Sequence, residues 1–524
     1  GVFWATIRRQ SYLMHSSMKF MLVSVFPDYG CSNSTCNLPG KCYMKKVFIK
    51  YNPYKLETTI SVDENPFIQK NNTYLQEWAE DLPKLLCERY SDQFFDITFY
   101  GPLADYADLK SIFSEYCLKH KTFNVLLDRI HVETVEDKIR RLDEVFQKLQ
   151  DKSIDKLYTQ EITDVFKQLH NNEIQVCVVA PMSVGKSTLI NALLGDKLLP
   201  SKQESCTSLV TYIKEIDSPT DSWKVHVYGR SYENVTLKDM QRLNSDNSIS
   251  QITIEGNIPF ISDCHMRLVL IDTPGPNNAR NQYHRERQQE LLSHLSHSLI
   301  MYVMDSTFGT TDDDELLRSI IKERSGHNYL RDRFIFVINK MDERKQEDGP
   351  MEKTLADIRT YLKSLGIVNP LLFPVSALAA LNIRMVQAQK ADKELSEDTR
   401  WMVQKLNKRS YTQCERLAPL SCNSANKIVA HLKDNKDIYT EALIHSGIPF
   451  LEEALKQYAE QYANIVKIRT TVEILKELFQ KSAENRAQKY KKEDGFKEKI
   501  MSPIEFSKES IKQVEDTLDS ILDI

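Results

Sequence analysis

The stretch QVCVVAPMSVGKSTLINALL, residues 175–194, decides the fold. Gln175 to Ala180 is apolar and β-branched, which predicts a buried strand. Ala180-Pro181-Met182-Ser183-Val184-Gly185-Lys186-Ser187-Thr188 follows as a loop, and Leu189 to Leu194 reads as a helix. Strand, loop and helix in that order make an anion cradle from backbone N–H groups and a helix N-terminus. Lys186 would reach the β- and γ-phosphates of a nucleotide, and the Ser187 hydroxyl would ligate Mg²⁺. Ala180 stands where such loops usually carry their first glycine, and Pro181 keeps it extended at the strand exit. Alone, a Gly-Lys-Ser could also be an ordinary helix start.

Three further segments remove that ambiguity. Met266 to Gly275 (MRLVLIDTPG) is a hydrophobic strand ending in Asp272, then a turn with Gly275. Asp272 would hold Mg²⁺ through a water, and the Gly275 N–H would sense the γ-phosphate. Phe334 to Asp342 (FIFVINKMD) is a second strand running into Asn339, Lys340 and Asp342. A carboxylate at Asp342 can accept both N–H groups of the guanine edge, a pair adenine lacks. Asn339 would bond the base or tie its loop to the phosphate loop, and the Lys340 stem can lie on the base face. Leu371 to Val375 is a third strand, ending at Ser376-Ala377, whose backbone can support guanine. Each segment sits at the carboxyl end of a predicted strand, where ligands lie in open α/β sheets. The fold class is therefore an α/β P-loop GTPase domain with a mostly parallel sheet, binding GTP or GDP with Mg²⁺.

Outward from this core, residues 44–128 read as β-β-α-β-α-β, a small α/β module with no nucleophile, Gly-rich loop or metal spacing, suited to docking or packing. Val135, Ile139, Leu142, Phe146 and Leu149 form a heptad stripe, and a second helix spans about 154–170. These helices, within 129–170, lead into the GTPase domain and stalk. The GTPase domain is assigned to 171–465, with its core at 171–380 and a helical segment at 381–465. Leu451, Leu455, Tyr458, Tyr462, Ile465, Val472 and Phe479 lie on one heptad seam, interrupted by Arg469 and Lys476. That pattern predicts a helix of about 40 residues, roughly 60 Å long, and a helical stalk over 466–524. Ser502-Pro503-Ile504-Glu505 should start another helix. The chain stops at Ile524 without a capping residue, which reads as a break inside the stalk. Residues 1–43 begin with Gly and lack periodicity; they are left unassigned, and Met44 reads as a natural start.

Composition narrows the classes. Lys+Arg is 69 against Asp+Glu 73, a net charge of −4, which argues against a nucleic-acid binder working through bulk positive charge. Only 15 glycines in 524 residues disfavour a turn-rich all-β protein. No apolar run approaches a membrane span. The scattered cysteines suggest reduced thiols and a cytoplasmic setting. Cys31, Cys36 and Cys42 lack the spacing and the fourth ligand of a zinc site.

With these residues in view, the sequence resembles the dynamin superfamily of large GTPases, and within it bacterial dynamin-like proteins. The resemblance rests on Ala180–Thr188, Leu198-Leu-Pro-Ser, Cys206-Thr207-Ser208, Asp272–Gly275 and Asn339–Asp342. The 86 residues from Lys186 to Asp272 hold predicted strands at 209–216, 223–228 and 251–255, which look like the enlarged dynamin sheet. Ser446 to Glu452 resembles the start of the domain's final helix. The resemblance implies that Thr207 completes Mg²⁺ coordination and positions the attacking water. Eukaryotic dynamins place a water-orienting glutamine where this chain has Met182, which cannot hold that water; Ser183 beside it could line a cation such as K⁺ or a partner domain. Lys186, Ser183 and Thr207 are thus the candidate catalytic residues. The resemblance further implies paired GTPase domains, possible higher oligomers, other dynamin-like subunits as partners, and a peripheral membrane target. Membrane remodelling driven by GTP hydrolysis is the leading reading; a slow or inactive GTP-switched scaffold that assembles with partners, one of them on residues 44–128, is the alternative.

Overall fold

A computed structural model describes residues 44–150, 160–181, 184–200, 209–216, 222–246, 248–261, 264–273, 298–306, 311–323, 333–433, 437–492 and 512–524. Residues 1–43, Met182, Ser183, Thr207, Gly275 and the helix start expected at Ser502 lie outside these segments.

The amino-terminal module forms a five-stranded sheet in the order β3-β2-β1-β4-β5. Its elements are β1 (Lys45–Asn52), β2 (Glu57–Val62), β3 (Asn65–Asn71), α1 (Leu82–Tyr90), β4 (Phe94–Tyr100), α2 (Leu103–Lys119) and β5 (Asn124–Ile130). β1, β2 and β3 pair antiparallel, whereas β1, β4 and β5 pair parallel. The strands alternate: Val47, Ile49, Tyr51, Phe95, Ile97 and Phe99 are buried in one cluster with residues of α1 and α2. Phe48, Leu126 and Ile130, on the opposite face, are exposed. Strand β3 departs from the sequence reading, which lacks it. It is an edge strand with Pro66 near its start and mostly exposed residues, so it carries no alternation to detect. The helix expected from Leu75 is also delayed. Two 3₁₀ turns, Leu75–Glu77 and Ala79–Asp81, precede α1, whose first turn accommodates Pro83.

Two helices, α3 (Val135–Gln150) and α4 (Gln160–His170), lead to a nine-stranded sheet. That sheet is built from β6 (Glu173–Val179), α5 (Lys186–Leu194), β7 (Val210–Glu215), β8 (Lys224–Val227), β9 (Arg230–Tyr232), α6 (Leu237–Asn244), β10 (Gln251–Gly256), β11 (Arg267–Asp272), β12 (Leu299–Met304), α7 (Thr311–Glu323), β13 (Phe334–Ile338), α8 (Met351–Ser364) and β14 (Leu371–Pro374). The order is β14-β13-β12-β6-β11-β7-β10-β8-β9. β14, β13, β12, β6 and β11 run parallel, and β7 joins β11 antiparallel. Every residue of β12 and β13 is buried, as parallel strands covered on both faces require. One face packs on Leu189 and Leu193 of α5, and the other on Leu317 of α7 and Leu355 and Ile358 of α8.

A helical region follows: α9 (Ala377–Gln387), α10 (Lys393–Lys408), α11 (Cys422–Lys433), α12 (Ile438–His445), α13 (Ile448–Gln457) and α14 (Ala463–Lys492). Between α13 and α14 lies a π-helical turn, Tyr458–Tyr462, so the long heptad run is one helical rod with a local irregularity. The stripe serves two cores. Leu451, Leu455, Ala459 and Ala463 belong to the core of the large sheet. Ile465, Ile468, Val472, Leu475 and Phe479 pack with α3, α4 and the terminal segment 512–524. Arg469, which breaks the stripe in the sequence, is only 2% exposed and donates to the Pro53 carbonyl at 3.1 Å. The terminal segment closes against the module and α3. The Asn52 amide donates to the Leu522 carbonyl at 2.8 Å, and buried Lys138 donates to the Ile521 and Asp523 carbonyls at 2.6 Å each. Lysine at a helix carboxyl end satisfies orphan carbonyls and meets the negative end of the dipole.

Candidate functional site

The parallel strands converge their carboxyl ends on one edge of the large sheet. β6 delivers Ala180 and Pro181, both buried, to the start of the loop, and α5 begins at Lys186. Gly185 has φ +91°, a left-handed conformation, and a Cβ there would meet the Asn339 amide nitrogen at 2.5 Å. Two constraints therefore demand glycine at this position. Val184 is buried, whereas Lys186, Ser187 and Thr188 are partly exposed at the helix N-terminus, where N–H groups and the dipole favour an anion.

Lys186 is engaged. Its ammonium forms an ion pair with the Asp272 carboxylate at the end of β11 and donates to the Thr273 carbonyl at 2.5 Å. The Thr273 hydroxyl in turn donates to the Val178 carbonyl at 2.8 Å, joining the ends of β11 and β6. Sequence reasoning misses Thr273; its place directly after the strand-ending aspartate is the available signal. A phosphate at the loop would compete with Asp272 for Lys186. The Ser187 hydroxyl and the Asp272 carboxylate are hard oxygen donors, the chemistry Mg²⁺ prefers, and phosphate oxygens and waters would complete its octahedron. The donor set fits that ion.

The other end of this sheet edge is organised by Asn339, which is 3% exposed. Its amide donates to the Val184 carbonyl at 2.9 Å, and its carbonyl oxygen accepts from the Ala377 N–H at 3.1 Å. One side chain thus joins the phosphate loop to the Ser376-Ala377 turn after β14. Lys340 sits at φ +61°, uncommon for a non-glycine residue, and its ammonium lies 3.8 Å from Asp305 at the end of β12. Asp342 is 9% exposed in the short turn Met341–Glu343, and the Met341 N–H bonds the Val375 carbonyl. Ser376 is fully buried, and its N–H donates to the Ser446 carbonyl at 2.8 Å. The structure therefore gathers Ala180, Pro181, Val184, Gly185, Lys186, Ser187, Thr188, Asp272, Asn339, Lys340, Asp342, Ser376 and Ala377 along one sheet edge. Met182, Ser183, Thr207 and Gly275 belong to segments outside the described residues. Among the described residues no group of three or more acidic, His or Cys side chains could hold a metal, and no helix is long and apolar enough to cross a membrane.

Residues 176–341 match the sequence profile of the dynamin family. An uncharacterised protein encoded in the xynA 3' region of Caldicellulosiruptor sp. is 27% identical over 269 residues, 48% of this chain and 61% of that protein. A probable transmembrane GTPase, FZO-like and chloroplastic, of Arabidopsis thaliana is 23% identical over 44% of this chain and 22% of its own length. A bacterial dynamin-like protein of Nostoc punctiforme is 38% identical over 55 residues, 10% of this chain and 8% of that protein. The chain thus spans less than two thirds of the length of each of these relatives. Among solved structures, an oligomerised bacterial dynamin pair, described as a mechanism for long-range sensing and tethering of membranes, aligns at 13% identity. The alignment covers 80% of this chain and 58% of that chain with a TM-score of 0.33.

Proposed function

We propose that the chain carries a dynamin-type GTPase domain that binds and hydrolyses GTP, coupling pairing of two such domains to movement of the long helical rod. The observation that carries this reading is Asn339, whose side chain spans from the phosphate loop to the base loop, with Asp342 in the next turn. Asp342 would accept the two guanine N–H groups. Lys186 would leave Asp272 and donate to the β- and γ-phosphates, while the loop and the start of α5 hold the remaining oxygens. Ser187, Asp272 and Thr207 would hold Mg²⁺, which neutralises charge on the phosphates. Thr207 would orient the attacking water, and Ser183 would line the site or contact K⁺. The scattered cysteines support a cytoplasmic setting, and the family resemblance supports peripheral action on membrane and self-assembly.

The test is GTP turnover per protein over a concentration series with Mg²⁺, with and without K⁺, with Lys186→Ala as blank. Turnover that rises with concentration and vanishes in the variant is the expected result. Absence of guanine-nucleotide binding, or equal preference for ATP, overturns the reading. Met182 favours one alternative, a slow GTP-switched scaffold, for which binding and assembly persist while turnover stays flat.

A further inference from the structure

Helix α5 begins at the phosphate loop, and α9 begins at the base-supporting Ser376-Ala377 turn. α13 opens the long rod. These three helices meet at one side chain. Arg384 of α9 donates to both carboxylate oxygens of Glu452 on α13, at 2.6 and 2.8 Å, and to the Ala192 carbonyl near the end of α5 at 2.5 Å. Glu452 is 8% exposed. Burial opposes the charge on Arg384, but Glu452 more than offsets it and raises the guanidinium pKa. A planar, bidentate guanidinium fixes orientation as well as distance, which a single lysine contact cannot do. Ala192 lies in the last turn of α5, where its carbonyl accepts from the capping Gly195 N–H at 3.3 Å and keeps a second lone pair for an outside donor. A second link runs alongside: the Ser376 N–H holds the Ser446 carbonyl, and Gly447 next to it (φ +76°) approaches the Pro374 carbonyl so closely that a Cβ would clash with that oxygen.

We infer that Arg384 is the positioning residue through which the state of the phosphate loop reaches the long rod. The inference rests on the GTPase reading above. A small shift of α5 when nucleotide loads its N-terminus changes the position of the Ala192 carbonyl. Arg384 cannot follow it without pulling Glu452, because the same planar group holds both. Glu452 is buried and Arg384 is mostly covered, its side chain 20% exposed, so water competes poorly for a broken bond. The contact therefore passes displacement along the helix instead of absorbing it.

The experiment is hydrogen–deuterium exchange on the full chain with and without GTPγS and Mg²⁺. In the parent protein, nucleotide should slow exchange at 176–194 and change exchange at 448–470 at least about 3-fold. Arg384→Ala and Glu452→Gln should keep the first effect and lose the second, a separation that a merely stabilising contact would not produce. Arg384→Lys retains charge and should restore part of the second effect; if Arg384→Ala does not fold, the milder Arg384→Lys and Glu452→Gln decide. An undiminished change at 448–470 in both milder variants overturns the inference, as does a parent protein in which 176–194 is protected and 448–470 is unmoved. Absence of protection at 176–194 in the parent overturns the GTP-binding reading itself, and this inference with it.

Discussion

The two sheets of this chain are both α/β, yet they place side chains in opposite ways. In the large sheet, β12 and β13 are buried along their full length, so their chemistry has nowhere to go but the strand ends. There Asp305, Asn339 and Asp342 emerge. In the amino-terminal sheet, β1 alternates between covered and open faces, and β5 is at most half-buried throughout. Its described strand ends carry no comparable constellation; instead its loops grip other parts of the chain. Glu80 accepts from the Cys422 and Asn423 N–H groups at the start of α11, and Tyr74 packs on Tyr462 with ring centroids 4.3 Å apart. Double-sided burial concentrates function at an edge, whereas one-sided burial leaves a module free to dock.

The comparison can be broken most easily in the cores. Phe336→Ala in β13 should cost about 3–5 kcal/mol by chemical denaturation, while Phe48→Ala on the open face of β1 should stay within about 0.5 kcal/mol. Equal costs would mean that the open face is covered in solution.

The next largest effect concerns the docked module. Asp105 is fully buried beside Gln76, Asp108, Tyr51, Tyr54, Tyr74 and Tyr462, and burial pushes its pKa up to about 7. The folded state therefore holds this proton more tightly than the unfolded chain. Its contribution is fully present below the ordinary carboxylate range and is lost as pH rises toward and through about 7. The total is at most about 4 kcal/mol. Asp105→Asn should flatten the stability curve between the ordinary carboxylate range and about pH 7, and raise the melting temperature at the alkaline end; a curve of unchanged slope would count against it.

At the large sheet's edge, Lys186→Ala should weaken GTP binding about 10–100-fold, the worth of roughly 1.5–3 kcal/mol for a charge-assisted bond, measured by calorimetry. The smallest change is Glu80→Gln, which removes a charge from the start of α11. About 0.5–1 kcal/mol is expected, read as faster exchange of residues 73–82. A larger effect there would mark Glu80 as the main anchor of the module.

Much of the large sheet is legible because a buried parallel strand is a nearly unbroken apolar run, and each run ends in a residue type with few other uses. Asn339 and Asp342 announce themselves that way. Arg384 and Glu452 do not, since a single Arg and Glu 68 positions apart have no local pattern that predicts their meeting. Strand β3 escapes detection because of its exposure: an edge strand needs only one neighbour and no apolar face. Arg469 reads as a break in a seam, yet its guanidinium is buried against a backbone carbonyl of the module. Heptad periodicity reports which side of a helix is covered, not whether the cover is apolar or polar. The π-helical turn within the rod is not signalled by the heptad pattern, which runs on through Tyr458 and Tyr462.

The bond from Asn52 to Leu522 joins residues 470 positions apart. On a ribosome adding about 5–20 residues per second, the module's strands would emerge roughly 25–95 s before the segment that grips them. During that interval the Lys138 ammonium and the surface around Tyr54 await their partners, while the module's own sheet and the large sheet can already be assembled. The clasp therefore forms only after segment 512–524 has been made, and a chaperone or a neighbouring nascent copy has that window in which to intervene.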